Sequence, residues 1–239
     1  MTVPLARPAA PRQRTRSGVP RLALGVVLVV FACLMFANVD IWLAWDDANP
    51  TLGHGRLLLY FTTQSNLLAV IALTMVGTAL LRGRRPTRGS EYLRGLATVD
   101  MAISGLVASI LLTEPGAPFT YSDFLLHQAG PALMVLWWVI MPPTEPVRWS
   151  AVFVWLTHPL LWTLCVLTYG AESSDGWVPY FFLSPDEPGG WGAVAISLLV
   201  IHLLFAVLAV GVVSVSRFAR WRGSVWRPFD AHMHETDLE

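Results

Sequence analysis

Apolar residues occur along this chain in six blocks, separated by connectors that contain Pro, Gly, Asp and Arg. Each block has about 20 residues, enough for an α-helix rising about 1.5 Å per residue to cross about 30 Å of hydrocarbon. The strands of a membrane β-barrel are shorter and alternate in hydrophobicity. The pattern therefore predicts an all-α, polytopic bundle of six transmembrane helices, at about 22–43, 57–81, 95–113, 124–141, 150–170 and 191–215.

Four of the five connectors are short, so helices that follow one another in sequence are expected to pack antiparallel. We interpret residues 22–215 as one membrane domain between an Arg-rich N-terminal tail, 1–21, and a C-terminal tail, 216–239. The Arg-rich start followed by an apolar stretch also resembles a signal peptide, but no convincing small-residue cleavage motif precedes Asp40. The first block is therefore interpreted as a retained span.

Arginines predict the orientation of the helices. All sixteen basic residues are arginines, and fifteen of them fall on one side if the spans alternate in direction; Arg56 falls on the other. Because positively charged loops remain in the cytoplasm, both termini are predicted to be cytoplasmic. The opposite side collects acidic residues instead: Asp46, Asp47, Glu114, Glu172, Asp175, Asp186 and Glu187.

The composition supports a membrane protein and narrows its partners. Hydrophobic residues make up 54% of the chain and charged residues 13%, whereas about a quarter of the residues in a soluble domain are charged. A formal net charge of zero gives no reason to expect a nucleic acid as partner, so membrane lipids are the expected partners. The use of Arg without Lys is typical of a GC-rich genome, which favours a bacterial inner membrane.

Cysteines and the histidines of the tail indicate neither a disulfide framework nor a metal site. Cys33 and Cys165 both fall inside apolar blocks, where cysteine packs as a small hydrophobic residue. The C-terminal tail contains His232 and His234, but two histidines near a chain terminus are more often solvated than bound to a metal. No metal and no cofactor are therefore expected.

Five polar residues follow one another at the start of the second predicted helix, from Thr62 to Asn66. A strongly polar group in hydrocarbon costs about 3 kcal/mol or more without a partner, so this run needs an explanation. Helical periodicity separates a small, polar stripe from a more apolar one, namely residues 62, 65, 66 and 69 against residues 63, 67, 70 and 74. The polar stripe is expected to face the bundle interior, which selects Thr62 over Thr63.

Thr62 and His127 are predicted to lie at the same depth. Each follows the start of an inward-running span by about three to five residues, which places both about 5 to 8 Å into the outer leaflet. Asp123 precedes His127 by one helical turn and is expected to hold one imidazole nitrogen. A threonine hydroxyl needs such a base to act as a nucleophile, and Asn66 or Gln64 would donate to a developing oxyanion.

A structural interpretation of the same residues also exists. Threonine in a membrane helix usually bonds to its own backbone, and a membrane histidine often satisfies a polar neighbour. The chain would then be a non-catalytic membrane protein, either a lipid-binding or regulatory partner or a small transporter. The residue pattern alone leaves both interpretations open.

Two ionisable residues are predicted nearer the cytoplasmic ends of their spans. Asp100 in the third span and His158 in the fifth lie at similar heights, so they are expected to pair. We interpret them as a structural pair and not a proton pathway, because no chain of acids continues through the membrane. Pro159 predicts a kink next to His158, and His202 falls near mid-membrane in the sixth span.

The segment Trp177–Leu183, hereafter the outer segment, follows the fifth predicted helix. It is too short to cross the membrane and too apolar for a free loop. We expect it to lie on the outer surface or to fold back over the bundle as a lid.

Several of these features together resemble the androgen-induced-protein family of six-helix membrane proteins, which has eukaryotic and bacterial branches. They are Tyr60-Phe61-Thr62 at the start of the second helix, His127 early in the fourth, and the outer segment. The likeness covers roughly residues 22–215. Animal members of that family hydrolyse fatty acid esters of hydroxy fatty acids with a membrane threonine as nucleophile and a histidine as its partner. The resemblance implies these roles for Thr62 and His127, and hence a threonine-dependent hydrolase that takes acyl esters from the outer leaflet.

Overall fold

The computed structural model describes residues 19–48, 55–112, 120–143 and 145–221. Within these ranges the chain is helical without strands, and six helices are long and apolar enough to cross a membrane, which confirms the predicted fold class. The helices are α1 (Val19–Ala48), α2 (Phe61–Leu81), α3 (Arg88–Leu112), α4 (Tyr121–Ile140), α5 (Ser150–Glu172) and α6 (Gly190–Trp221).

Short irregular turns adjoin the regular helices. A 3₁₀ turn, Arg56–Leu59, precedes α2, and a second one, Phe181–Leu183, ends the outer segment before α6. A wide π-helical turn ends α3 at Ala108–Leu112, and another lies within α4 at Leu125–Ala129. Such turns inside membrane helices often occur at functional sites.

The central helix of the bundle is α3, which packs against α2, α4 and α6. In the most apolar stretch of α3, 56% of the residues are buried, whereas the corresponding share in α6 is 17%. Val99 and Ile103 on one side of α3 belong to an aromatic-rich core that includes residues of α5 and α6. Ala97 and Met101 belong to a second core shared with α1, α2 and α4. The two cores therefore lie on different sides of α3.

Outward-facing side chains of the bundle are also apolar. Phe153, Leu161 and Leu203 are 75%, 60% and 57% exposed, respectively. Soluble proteins rarely present large contiguous apolar surfaces to water. Six helices of this kind fit an integral membrane protein whose periphery contacts lipid.

The start of α3 lies earlier than the hydropathy pattern predicts, at Arg88 and not near residue 95. Thr87 caps the helix, since its side-chain oxygen accepts a hydrogen bond of 3.1 Å from the backbone N–H of Ser90. Charged residues in the first two turns lower the local hydropathy, and this hides the helix from a hydropathy window.

Arg94 shows how α3 carries a buried charge. Its guanidinium donates to the Glu91 carboxylate at 2.7 Å and to the carbonyl of Met141 at 2.8 Å. The same group lies over the rings of Trp137 and Trp138, 4.6 and 4.7 Å from their centroids. Hydrogen bonds and cation–π contacts thus replace the water that burial removes.

Contacts between connectors show that alternate loops lie at the same end of the bundle. Arg88 pairs with Glu145 at 2.5 Å, and Arg217 donates to the carbonyl of Val147 at 3.4 Å. These contacts join the starts of α3 and α5 to the C-terminal part of α6. The cytoplasmic location of this arginine-rich end, and so of both termini, stays a prediction.

Gly95 marks a close approach between α3 and its neighbours, because a Cβ there would overlap the ring of Trp155 and lie 3.1 Å from Trp138. We expect Gly95→Ala to overpack this site and lower the free energy of unfolding by about 1 to 3 kcal/mol. The measurement is the thermal unfolding midpoint in detergent. Gly211→Ala is the control, since nothing lies within 4 Å of a Cβ at that position on α6. Equal stability of the two variants would contradict the packing described.

Candidate functional site

The polar start of α2 is buried in the manner that helical periodicity predicts. Ser65, Asn66 and Ala69 are each 0% exposed, whereas Thr74 on the opposite stripe is exposed. Thr62 is only half-buried, because it lines a cleft.

This cleft, the Thr62 cleft, contains about 520 Å³ of empty space with its mouth included. Residues of α2, α3, α5, α6 and the outer segment form its walls, and most of them are apolar. Hydroxyl or imidazole groups come from five lining residues: Thr62, Ser104, Thr163, Tyr180 and His202.

Two residues from other elements bond to Thr62. The Ser104 hydroxyl of α3 donates to Thr62 Oγ1 at 3.1 Å, and the backbone N–H of Thr62 donates to the Tyr180 hydroxyl at 3.4 Å. That N–H lies in the first turn of α2, where no intrahelical acceptor exists. Burial raises the pKa of Tyr180, so its phenol is neutral at physiological pH.

The outer segment folds back over the bundle, which is one of its two predicted placements. Tyr180 and Leu183 are buried, at 8% and 0% exposure. Tyr60 makes edge-to-face contacts with Trp177 and Tyr180, at centroid distances of 5.8 and 5.5 Å. Trp162 of α5 lies 6.0 Å from the Tyr180 ring. Aromatic packing thus holds the segment against the start of α2 and the wall of the Thr62 cleft.

Arg56 adds an ionic contact at the same end. Its guanidinium donates to both carboxylate oxygens of Asp175, at 2.9 and 2.8 Å, and lies 4.8 Å from the Trp177 ring centroid. The hydrogen bond from Arg56 holds the pKa of the Asp175 carboxyl below its ordinary value. The turn before α2 and the connector after α5 are therefore linked.

His127 lies in the wide turn of α4 and not among the residues that line the Thr62 cleft. Its Nδ1 atom is buried and has no hydrogen-bond partner in the described part of the chain. Its carbonyl oxygen lies against α3, since a Cβ on Gly105 would be 3.1 Å from it. The turn that contains His127 therefore lies next to Gly105, the residue after Ser104. Within the described residues, no hydrogen bond joins His127 to Thr62.

Asp123 has a different local role from the expected one. Its Oδ2 accepts hydrogen bonds from the backbone N–H and hydroxyl of Thr120, at 3.1 and 2.6 Å. Its own N–H donates to Thr120 Oγ1 at 3.1 Å, which completes a capping box at the start of α4. The carboxylate is used for this cap and does not hydrogen-bond to Nδ1 of His127, which is unpartnered.

Gln64 and Asn66, the expected oxyanion donors, both bond to backbone carbonyls. Gln64 Nε2 donates to Leu58 O at 2.9 Å. Asn66 Nδ2 donates to Thr62 O at 2.8 Å and, across to α4, to Leu126 O at 3.5 Å. These amides stabilise the start of α2 and its contact with α4. The donors that remain close to Thr62 are the backbone N–H groups at the N-terminus of α2.

Asp100 and His158 lie together, as predicted. His158 Nδ1 is 3.0 Å from Asp100 Oδ2, and Asp100 is 0% exposed. This distance fits an ion pair or a hydrogen bond between the two side chains. Neither residue lines the Thr62 cleft, and α5 continues as a helix through Pro159.

Four polar residues of the cleft have no role in the predicted site. Ser104, Thr163, Tyr180 and His202 are widely separated in sequence, and no local spacing pattern joins them. Only His202 carries a signal of its own, because histidine near mid-membrane is costly.

Comparison with protein-family models, with curated proteins and with solved structures found no match. The fold and the site define an integral membrane protein of six helices with an apolar cleft around a threonine hydroxyl. The resemblance to the androgen-induced-protein family stays a prediction.

The contact between Arg56 and Asp175 predicts a pH dependence for the outer segment. At pH 7 we expect Asp175→Asn to increase hydrogen exchange of residues 177–183, because the charged partner of Arg56 is removed. The folded-state pKa of Asp175 is lowered, so its contribution is complete above the ordinary value of about 3.9 and is lost as pH falls through the lower value. Hydrogen–deuterium exchange measured by mass spectrometry, corrected for intrinsic rates, checks both effects.

Asp186→Asn is the matched control, because Asp186 is an exposed carboxylate on the same connector. Its exchange should equal that of the wild type. Unchanged protection in Asp175→Asn at pH 7 would contradict the link between Arg56 and the outer segment.

Proposed function

We propose that this protein is a membrane hydrolase of lipid esters with Thr62 as its nucleophile. The observation that carries the proposal is the position of the Thr62 hydroxyl, in the wall of an apolar cleft and in the first turn of a helix. An acyl chain would enter the cleft from the lipid and place its ester carbonyl beside the hydroxyl. No metal or cofactor takes part in this reaction.

Hydrogen bonding prepares Thr62 for attack. The Ser104 hydroxyl donates to Thr62 Oγ1, and the Tyr180 hydroxyl is a second side-chain neighbour of Thr62. Attack would therefore require the Thr62 hydrogen to turn from Tyr180 to a base. Attack of Oγ1 on the carbonyl carbon forms a tetrahedral intermediate, whose collapse releases the alcohol and leaves an acyl-threonine. Water then attacks the acyl-threonine, releases the fatty acid and regenerates Thr62.

The N-terminus of α2 supplies electrostatic stabilisation. The Thr62 N–H points away from the helix body towards Tyr180, and the helix dipole is positive at this end. A developing oxyanion would take the place of the Tyr180 oxygen as the acceptor of this N–H. The Tyr180 phenol would donate a second hydrogen bond to it, so the negative charge would be stabilised as it forms. These donors take the place expected for Gln64 and Asn66.

His127 is the proposed proton acceptor. It would take the Thr62 proton during attack and return it to the leaving alcohol oxygen. The bond from Asn66 to Leu126 O holds the start of the wide turn against α2, one residue before His127. Catalytic hydrogen bonds are often long or poorly aligned without substrate, and the proposal requires that substrate binding bring the imidazole to the Thr62 hydroxyl.

The cellular setting belongs to the same proposal. The arginine-rich end would lie in the cytoplasm of a bacterial cell, which puts the Thr62 cleft in the outer leaflet of the inner membrane. Substrates would then be esters that partition into that leaflet.

Substitution of Thr62 tests the proposal. We expect Thr62→Ala to lower ester hydrolysis by purified protein about 10³-fold or more, and His127→Gln to lower it by about 10²- to 10⁴-fold. Thr62→Ser should retain part of the activity, because it retains the hydroxyl. The assay is fatty acid release in mixed micelles from a branched fatty acid ester and, in parallel, from a monoacylglycerol.

Thr63→Ala is the matched control, because the adjacent threonine lies on the other stripe of α2 and does not line the Thr62 cleft. Its activity should equal that of the wild type, and all variants should keep the same unfolding midpoint. Hydrolysis that survives in Thr62→Ala, or is absent from the wild type, would return Thr62 to a structural role in a non-catalytic protein.

A further inference from the structure

Two polar atoms in the Thr62 cleft lack partners within the described part of the chain. They are Thr163 Oγ1 on α5 and His202 Nε2 on α6, and both atoms are buried. Burial of an unpaired polar atom is costly, so such groups usually mark a bound water or ligand. Neither residue takes part in the reaction proposed for Thr62.

The tautomer of His202 determines what its free nitrogen requires. Nδ1 lies 2.7 Å from the carbonyl oxygen of Leu198, one turn earlier on α6. A carbonyl oxygen only accepts, so in the neutral imidazole Nδ1 carries the proton and Nε2 has a free lone pair. The free nitrogen therefore needs a donor, whereas the Thr163 hydroxyl both donates and accepts.

The surroundings of these atoms restrict the ligand to a neutral group. Among the described residues, none that lines the Thr62 cleft is Arg, Lys, Asp or Glu. Apolar side chains such as Ile201 and Phe205 share the wall with His202. A carboxylate or phosphate would enter without a cationic partner, and an ammonium without an anionic one. An alcohol hydroxyl instead offers a donor to Nε2 and an acceptor to Thr163, and it carries no charge.

We propose that Thr163 and His202 bind the free hydroxyl of a neutral, single-chain or partial-ester lipid inside the Thr62 cleft. Binding of this hydroxyl is independent of catalysis. The substrate class that follows rests on the proposed function. It consists of uncharged esters that keep one free hydroxyl, such as partial glycerides, bound with their ester carbonyl at Thr62.

The test uses a probe that cannot be hydrolysed. A C16 alcohol with a mid-chain diazirine is photo-crosslinked to the purified full-length protein, and the labelled peptides are identified by mass spectrometry. Unlabelled 1-hexadecanol should displace the probe about tenfold better than its methyl ether, which accepts but does not donate. Thr163→Val and His202→Phe should each abolish this preference for the alcohol.

Thr168→Val is the matched control, because Thr168 is an exposed threonine on the same helix. It should keep the wild-type preference. If His202→Phe does not fold, the comparison of wild type with Thr163→Val decides alone. Equal displacement by the alcohol and the ether in the wild type would overturn the inference and assign the two polar atoms to a bound water.

Hydrolysis measured in parallel separates this inference from the proposed function. A wild type that prefers the alcohol but hydrolyses no ester upholds the hydroxyl site, and only the proposed function fails. Conversely, a wild type that cleaves a monoacylglycerol and its di-O-methyl ether equally well overturns the inference while the hydrolase stands. A loss of all hydrolysis in His202→Phe, with equal displacement by alcohol and ether, would identify His202 as a base and not a binding residue.

Discussion

Hydrogen bonding of the first two turns of α2 is the constraint on which one end of the bundle depends. A helix that begins in or near hydrocarbon has N–H groups without intrahelical acceptors, and no water is there to satisfy them. Tyr180 of the outer segment accepts from Thr62 N–H, and Ser104 of α3 donates to the Thr62 hydroxyl. Asn66 reaches the Leu126 carbonyl of α4. Tyr180 and Ser104, which stabilise this helix end, thus also form part of the wall of the Thr62 cleft.

The same constraint favours the proposed chemistry. A hydroxyl at a helix N-terminus lies in a positive potential, and an apolar cleft screens that potential weakly. Thr62 has this position, with a neutral phenol from Tyr180 beside its N–H. Charge that develops during acyl transfer would be stabilised there by groups already held in place. Elsewhere, the rings of two tryptophans stabilise the buried charge of Arg94.

Much of the fold follows from hydropathy, but the site follows only in part. Block length predicts six helices, and helical period places Ser65 and Asn66 inside. Hydropathy misses the early start of α3, because Glu91 and Arg94 satisfy each other in a way that composition does not show. The sequence Thr120-x-x-Asp123 contains a capping-box signal, and the cap outcompetes the expected pairing of Asp123 with His127. Tyr180 and His202 reach Thr62's surroundings through tertiary packing, which no local pattern encodes.

Covalent trapping of the nucleophile tests the central claim most directly. Purified protein would be treated with a long-chain fluorophosphonate, and the modified residue would be located by peptide mass spectrometry. The account predicts one adduct, on Thr62, that is absent from Thr62→Ala and unaffected by Thr63→Ala. An adduct on another residue, or none on a folded protein, would contradict a threonine nucleophile in this cleft.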